Sequence, residues 1–163
     1  MAVNHLEQLV SEWYEFQGYF VKRNIRVGLL PTGGYETELD IVAFHPGKNH
    51  LVHIEPSLDA DSWAKREKRF GKKFSAGKIY IPKIFSGFNL PDEIDQQAVF
   101  IFASDKNYKE IGGGKVIILK KLLQTIINEI KGKSLESSAI PEQYSILRSF
   151  QYILEYAEVN FQF

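Results

Sequence analysis

The feature of this sequence that most limits its fold is a pair of apolar runs, each carrying one buried-looking acid. They are Glu38 to Phe44 (ELDIVAF) and Leu51 to Glu55 (LVHIE), joined by the turn-forming cluster His45, Pro46, Gly47, Lys48 and Asn49. Aliphatic and β-branched runs on either side of such a cluster read as two strands of a hairpin. Asp40 and Glu55 then lie on neighbouring strands among residues that belong in a core. A carboxylate taken out of water needs a partner, a metal ion or a raised pKa, so two of them on adjacent core strands point to a shared cation. The plainer alternative is that each acid meets solvent or an arginine at a strand end.

Helical spacing of Leu6, Leu9, Val10, Trp13 and Gln17 predicts a helix over Asn4 to Gln17, stopped by Gly18, with Glu12 and Glu15 on its solvent side. Tyr19 to Leu30 reads as a strand ending in the Pro31, Thr32, Gly33, Gly34 loop. Pro56 is expected to end pairing on the strand that carries Glu55. Asp59, Asp61 and Ser62 are candidate N-caps for a helix running to about Phe74, with Gly77 just past its end. After a variable stretch from Ile79 to Gln97, Ala98 to Ala103 and Val116 to Leu119 read as buried strands. Helices are expected over about 119–131 and about 141–158, the latter with Pro141 in its first turn. Together these elements make a single domain over 1–163, an α/β fold built as a three-layer α/β/α sandwich with a central mixed sheet.

The chain has no cysteine, which excludes disulfides, thiolate zinc sites and thiol nucleophiles. His50 and His53 face opposite sides of one strand and cannot share an ion; His53 shares a face with Glu55 and is read as a supporting or packing residue. The triple glycine at Gly112 leads into a strand and lacks a following Lys-Ser/Thr, so it is not a phosphate loop, and Thr32-Gly33-Gly34 fails likewise. Met1 to Glu15 has no uninterrupted apolar core, and Lys120, Lys121 and Asn128 interrupt Val116 to Ile130. No secretory signal or membrane partner is therefore expected, and the location expected is cytoplasmic.

Lys plus Arg and Asp plus Glu number 20 each, so any argument for nucleic acid must be local. From Lys65 to Lys83, eight basic residues meet a single acid, Glu67. Lys65, Arg66, Lys68, Arg69, Lys72 and Lys73 are candidate contacts to a phosphate backbone, against the plainer reading of a solvated helix face. With Trp63, Phe70 and Phe74 turned inward, Lys65 and Lys72 point away, while Arg66 and Lys73 flank the core face. The late aromatics Tyr152, Tyr156, Phe161 and Phe163 are expected to pack the last helix or to form a homodimer contact.

Residues 4–77 resemble the PD-(D/E)xK nuclease superfamily, in particular the small archaeal Holliday-junction resolvases and related restriction-type endonucleases. The resemblance rests on a first helix bearing Glu7, then Gly18-Tyr19-Phe20-Val21, then Asp40 as the first motif acid with Leu39 where proline is commonest, and Glu55 as the second across a hairpin. It implies a restriction endonuclease-like fold and Mg2+ or Mn2+ held by Asp40 and Glu55. It also implies Glu7 as an auxiliary ligand or water-binding acid, and metal-dependent endonuclease cleavage of DNA, with RNA left open. The family's motif lysine falls two residues beyond the second acid, and here that residue is Ser57. Lys73 is the candidate replacement, its plainer reading being a lysine that snorkels from an apolar face. Ser57 motivates an alternative as well: a degenerate nuclease-fold protein that binds nucleic acid or a protein partner without cleaving.

Overall fold

The computed structural model describes residues 4–104 and 106–157. Helix α1 (His5–Phe16) starts at Asn4, whose side-chain oxygen accepts from the backbone N–H groups of Leu6 and Glu7. The chain turns at Gly18, where φ is +88°, and enters three antiparallel strands, β1 (Phe20–Leu29), β2 (Tyr35–His45) and β3 (His50–Ser57). Helix α2 (Trp63–Ile84) crosses over to β4 (Asp95–Phe100), which pairs in parallel with β3. A short β5 (Glu110–Ile111) turns back on β6 (Gly114–Ile118), and β6 lies parallel to β4. Helices α3 (Leu119–Ile130) and α4 (Ser145–Tyr156) follow. The protein is thus α/β, a six-stranded mixed sheet in the order β1-β2-β3-β4-β6-β5 flanked by four helices.

Strand β3 is buried from Leu51 to Ser57 because helices cover both of its faces. On one face α2 packs Phe70, Phe74, Ala76 and Ile81 against Leu39, Val42, Phe44, Ala98 and Phe100. On the other, Leu6 and Val10 of α1 meet Ile41, Ala43, Val52 and Ile54, and α3 and α4 pack beside α1 through Ile126, Ile130 and Leu147. Leu39 sides with Val42 and Phe44, whereas Ile41 and Ala43 face α1, so the alternation of β2 slips at Asp40. Across the β1–β2 register, Asn24 stands opposite Asp40 between the Arg23–Ile41 and Ile25–Leu39 pairs, with a left-handed φ of +53°.

Several boundaries differ from the sequence reading, each for a local reason. Helix α2 continues to Ile84 instead of ending near Phe74, with Pro82 inside its last turn. Gly77 is not a helix stop: a Cβ there would lie 2.7 Å from His53 Cε1 and 3.2 Å from Gln96 Nε2, so glycine is required by close approach. Pro56 ends pairing toward β2, whose register stops at Ile41–Ile54, yet β3 pairs with β4 through Pro56–Val99 to Ser57–Phe100. A strand residue offers its N–H to one neighbour only, so a proline need not break the other edge. Strand β2 begins at Tyr35 instead of Glu38, and β4 begins at Asp95 instead of Ala98 and ends at Phe100. Pro141 precedes α4: the N–H of Tyr144 closes a turn on the Pro141 carbonyl at 3.0 Å, and the helix begins at Ser145.

Glu12 is also corrected, since it is buried, not solvated. Its Oε2 accepts from the N–H groups of Ile146 (2.8 Å) and Leu147 (3.1 Å), the unpaired donors at the start of α4. Tyr152 and Tyr156 are exposed on α4 instead of packed; Phe161, Phe163 and the expected helix end at 158 lie outside the described residues. Among the described residues no helix is long and apolar enough to cross a membrane.

Candidate functional site

The antiparallel register brings the two acids together. Strand β2 delivers Asp40 just beyond its last pair with β3, and the Asp40 N–H donates to Glu55 Oε1 at 3.1 Å. Glu55 is wholly buried. From α2, which lies across this face of the sheet, the Lys73 ammonium donates to Asp40 Oδ1 at 2.6 Å and to Glu55 Oε2. The lysine expected on the flank of the helix therefore reaches both acids.

Electrostatics in this group follow from burial and proximity. Burial, a hydrogen bond with Glu55 and the charge of Glu55 raise the Asp40 carboxyl to about 7, against the opposing pull of Lys73. Burial alone would lower the Lys73 ammonium, but the charges of Glu55 and Asp40 outweigh it and hold its pKa up. Two acids sharing one ammonium already converge on one cationic point. An all-oxygen pair without a sulfur or imidazole ligand fits a hard divalent ion such as Mg2+ or Mn2+. Among the described residues no three His, Cys, Asp or Glu side chains gather as a metal cluster. Glu7 accepts from Asn4 Nδ2 at 2.6 Å, and burial together with the charge of Asp40 raises its pKa.

His53, expected only to support or pack, makes a specific contact. Its Nε2 lies 2.8 Å from Glu55 Oε1, and neither residue reaches solvent. Burial, reinforced by the charge of Lys73, pushes the imidazole down to about 3, so the contact is a hydrogen bond with a neutral ring and not an ion pair. His50 faces the other side of β3, with its ring nitrogens near Tyr19 Oη (2.7 Å) and Asp95 Oδ2 (3.3 Å), as the strand period requires.

Ser57 belongs to a different group. Its Oγ donates to Asp59 and lies 3.3 Å from Arg69 Nη2. Asp59, expected as a helix cap, instead takes Arg66 Nε at 2.9 Å, while Arg66 Nη2 donates to the Asp59 carbonyl at 2.6 Å. Burial would raise the Asp59 carboxyl, but the hydrogen bonds from Arg66, the Asp61 N–H and Arg69 outweigh it and hold it low. Arg66 is only 4% exposed and its guanidinium lies 4.6 Å from the centre of the Phe100 ring, which corrects its place among the phosphate contacts. Arg69 is half-buried against Asp59 and Asp61, Lys65 lies 3.9 Å from Asp61, and Lys72 donates to the Glu36 carbonyl at 2.9 Å. Of the six candidate phosphate contacts Lys65, Lys68 and Lys72 remain exposed, and Lys78 and Lys83 farther along the helix are exposed as well. The acids that balance this helix come from the loop before it and from the sheet, which a count along the helix does not see. No protein-family model matches the chain, and no curated protein matches it either.

Proposed function

We propose that the chain is a metal-dependent nuclease of the PD-(D/E)xK type with a restriction endonuclease-like fold, hydrolysing DNA phosphodiester bonds in the cytoplasm. The observation that carries this reading is Lys73, whose amine meets both Asp40 and Glu55 and so supplies from α2 the cation that Ser57 does not. Asp40 and Glu55 would hold Mg2+ or Mn2+. When bound, the ion supplies charge neutralisation at the scissile phosphate and acidifies a nucleophilic water. Lys73, on a flexible four-carbon stem, is placed to hydrogen-bond the attacking water or a phosphate oxygen once the two acids share a divalent cation. Asp40, with its pKa near 7, exchanges its proton readily at neutral pH, so metal affinity rises as pH rises through that value. Exposed Lys65, Lys68 and Lys72 on the same helix offer contacts to the phosphate backbone.

The test is nicking of plasmid and branched DNA in Mg2+ or Mn2+, with Asp40→Ala and Lys73→Met measured beside the wild type. Loss of one preorganised charged group is expected to cost roughly 100- to 1,000-fold in rate. Equal nicking by wild type and Asp40→Ala would sink the proposal. No nicking by either would favour the alternative that Ser57 motivates, binding without cleavage.

A further inference from the structure

We propose that His53 is a positioning residue that decides which oxygen of Glu55 faces the cation, and through this which kind of cation the site prefers. The inference rests on the metal-site reading of Asp40 and Glu55. Its geometry is local and complete. Glu55 Oε1 receives two donors, His53 Nε2 at 2.8 Å and the Asp40 N–H at 3.1 Å, while Oε2 turns to Lys73. Oε1 is thereby occupied by fixed donors, and Oε2, which now meets the ammonium of Lys73, is the oxygen that an ion would take in its place.

The direction of the His53 bond follows from its neighbours. Gln96 Nε2 lies 2.8 Å from the Phe74 carbonyl and 3.2 Å from His53 Nδ1. Turning that amide over would set two carbonyl oxygens against each other, so Nε2 is the donor, His53 Nδ1 accepts, and the ring proton sits on Nε2 facing Glu55. Gly77 leaves room for the ring, and Phe74 meets it at an interplanar angle of 87° with centroids 5.2 Å apart. His53 and Gln96 are both buried, so water does not compete for these bonds.

A carboxylate limited to one oxygen suits a small octahedral ion, Mg2+ or Mn2+. Ca2+ fills its larger shell by taking carboxylates through both oxygens. His53 therefore disfavours Ca2+ at this site. Replacing it with leucine leaves Oε1 with the Asp40 N–H alone and opens one of its lone pairs to an ion, whereas glutamine places an amide nitrogen near the position of Nε2 and keeps the donor.

Titration calorimetry with Mn2+ and Ca2+ on wild type, His53→Leu and His53→Gln tests this. His53→Leu is expected to lose roughly 10- to 100-fold in Mn2+ affinity, as removal of a ligand-orienting partner does, and to narrow the preference for Mn2+ over Ca2+. His53→Gln should retain both properties. An unchanged Mn2+ affinity in His53→Leu, or equal weakening of both ions, would overturn the proposal. Ring 15N NMR of the wild type should show a protonated Nε2 and a bare Nδ1; the opposite tautomer overturns the positioning whether or not metal binds. Gln96→Met serves where His53→Leu does not fold: Glu55 Oε1 still faces Nε2 in it, so the Nε2–H form is expected to persist, and a shift to Nδ1–H would overturn the contact that positions Glu55. If the wild type binds neither ion, the metal-site reading and the cation preference fall together, and the tautomer alone decides the positioning of Glu55.

Discussion

Gly77→Ala separates two roles that glycine can play in a helix. By propensity alone, alanine in the interior of α2 should stabilise the protein by about 1 kcal/mol. The structure predicts the opposite sign. A Cβ at position 77 would stand 2.7 Å from His53 Cε1 and 3.2 Å from Gln96 Nε2, and both residues are buried. Overpacking of this kind costs about 1 to 3 kcal/mol. Displacing the ring also removes a donor from buried Glu55, which costs about 1 to 3 kcal/mol more. After the propensity gain is subtracted, the net loss is about 1 to 5 kcal/mol. Gly71→Ala on the same helix is the control, because its Cβ would meet only Gly112 Cα at an ordinary 3.8 Å, and it should gain close to the full propensity increment. Urea unfolding of both variants measures the difference. A Gly77→Ala protein as stable as the wild type, or a Gly71→Ala protein weakened as much as Gly77→Ala, would refute the close-approach argument.

Glu12→Ala should cost about 2 kcal/mol in urea unfolding, since it orphans the N–H groups of Ile146 and Leu147; a change below about 0.5 kcal/mol would show that water replaces the carboxylate. Acid stability should respond to Asp40→Asn in a direction set by two opposed groups. Asp40, raised to about 7, makes the metal-free protein more stable as pH falls from about 7 toward 4, whereas His53, lowered to about 3, makes it less stable as pH falls below about 6.5. Asp40→Asn removes the first effect, so stability measured between pH 6.5 and 5 should fall more steeply than in wild type by about 1.4 kcal/mol per pH unit; equal slopes would contradict the burial of Asp40. For DNA binding, Lys68→Ala should reduce the slope of log affinity against log salt by about 0.9, one phosphate contact, while Arg66→Ala should leave that slope unchanged and lower stability instead. The reverse pattern would place the wrong side chain on DNA.

Much of the fold could be read along the chain where the signal is local. The α1 and α3 patterns repeat at helical period, and the hairpin between Phe44 and Leu51 is written in turn residues, so those elements stand where expected. The adjacency of Asp40 and Glu55 was legible for the same reason, since a short turn sets the register of the strands it joins. The wheel put Lys73 on the flank of α2, but not at the end of a reach onto both acids. Gly77 was misread because glycine marks a helix end and a close approach with the same letter. Glu12 could not be told from a solvated acid, because the donors it serves lie in α4, far along the sequence.

By itself, then, the sequence determined an α/β domain in which two acids share neighbouring core strands, because strand period and turn chemistry act over a few residues. Only the tertiary structure decided which cation meets those acids, which arginine is withdrawn into the core by Asp59, and which imidazole nitrogen faces Glu55. Charge pairing and hydrogen bonding depend on distance in space, and the packing of α2 across β2 and β3 sets those distances.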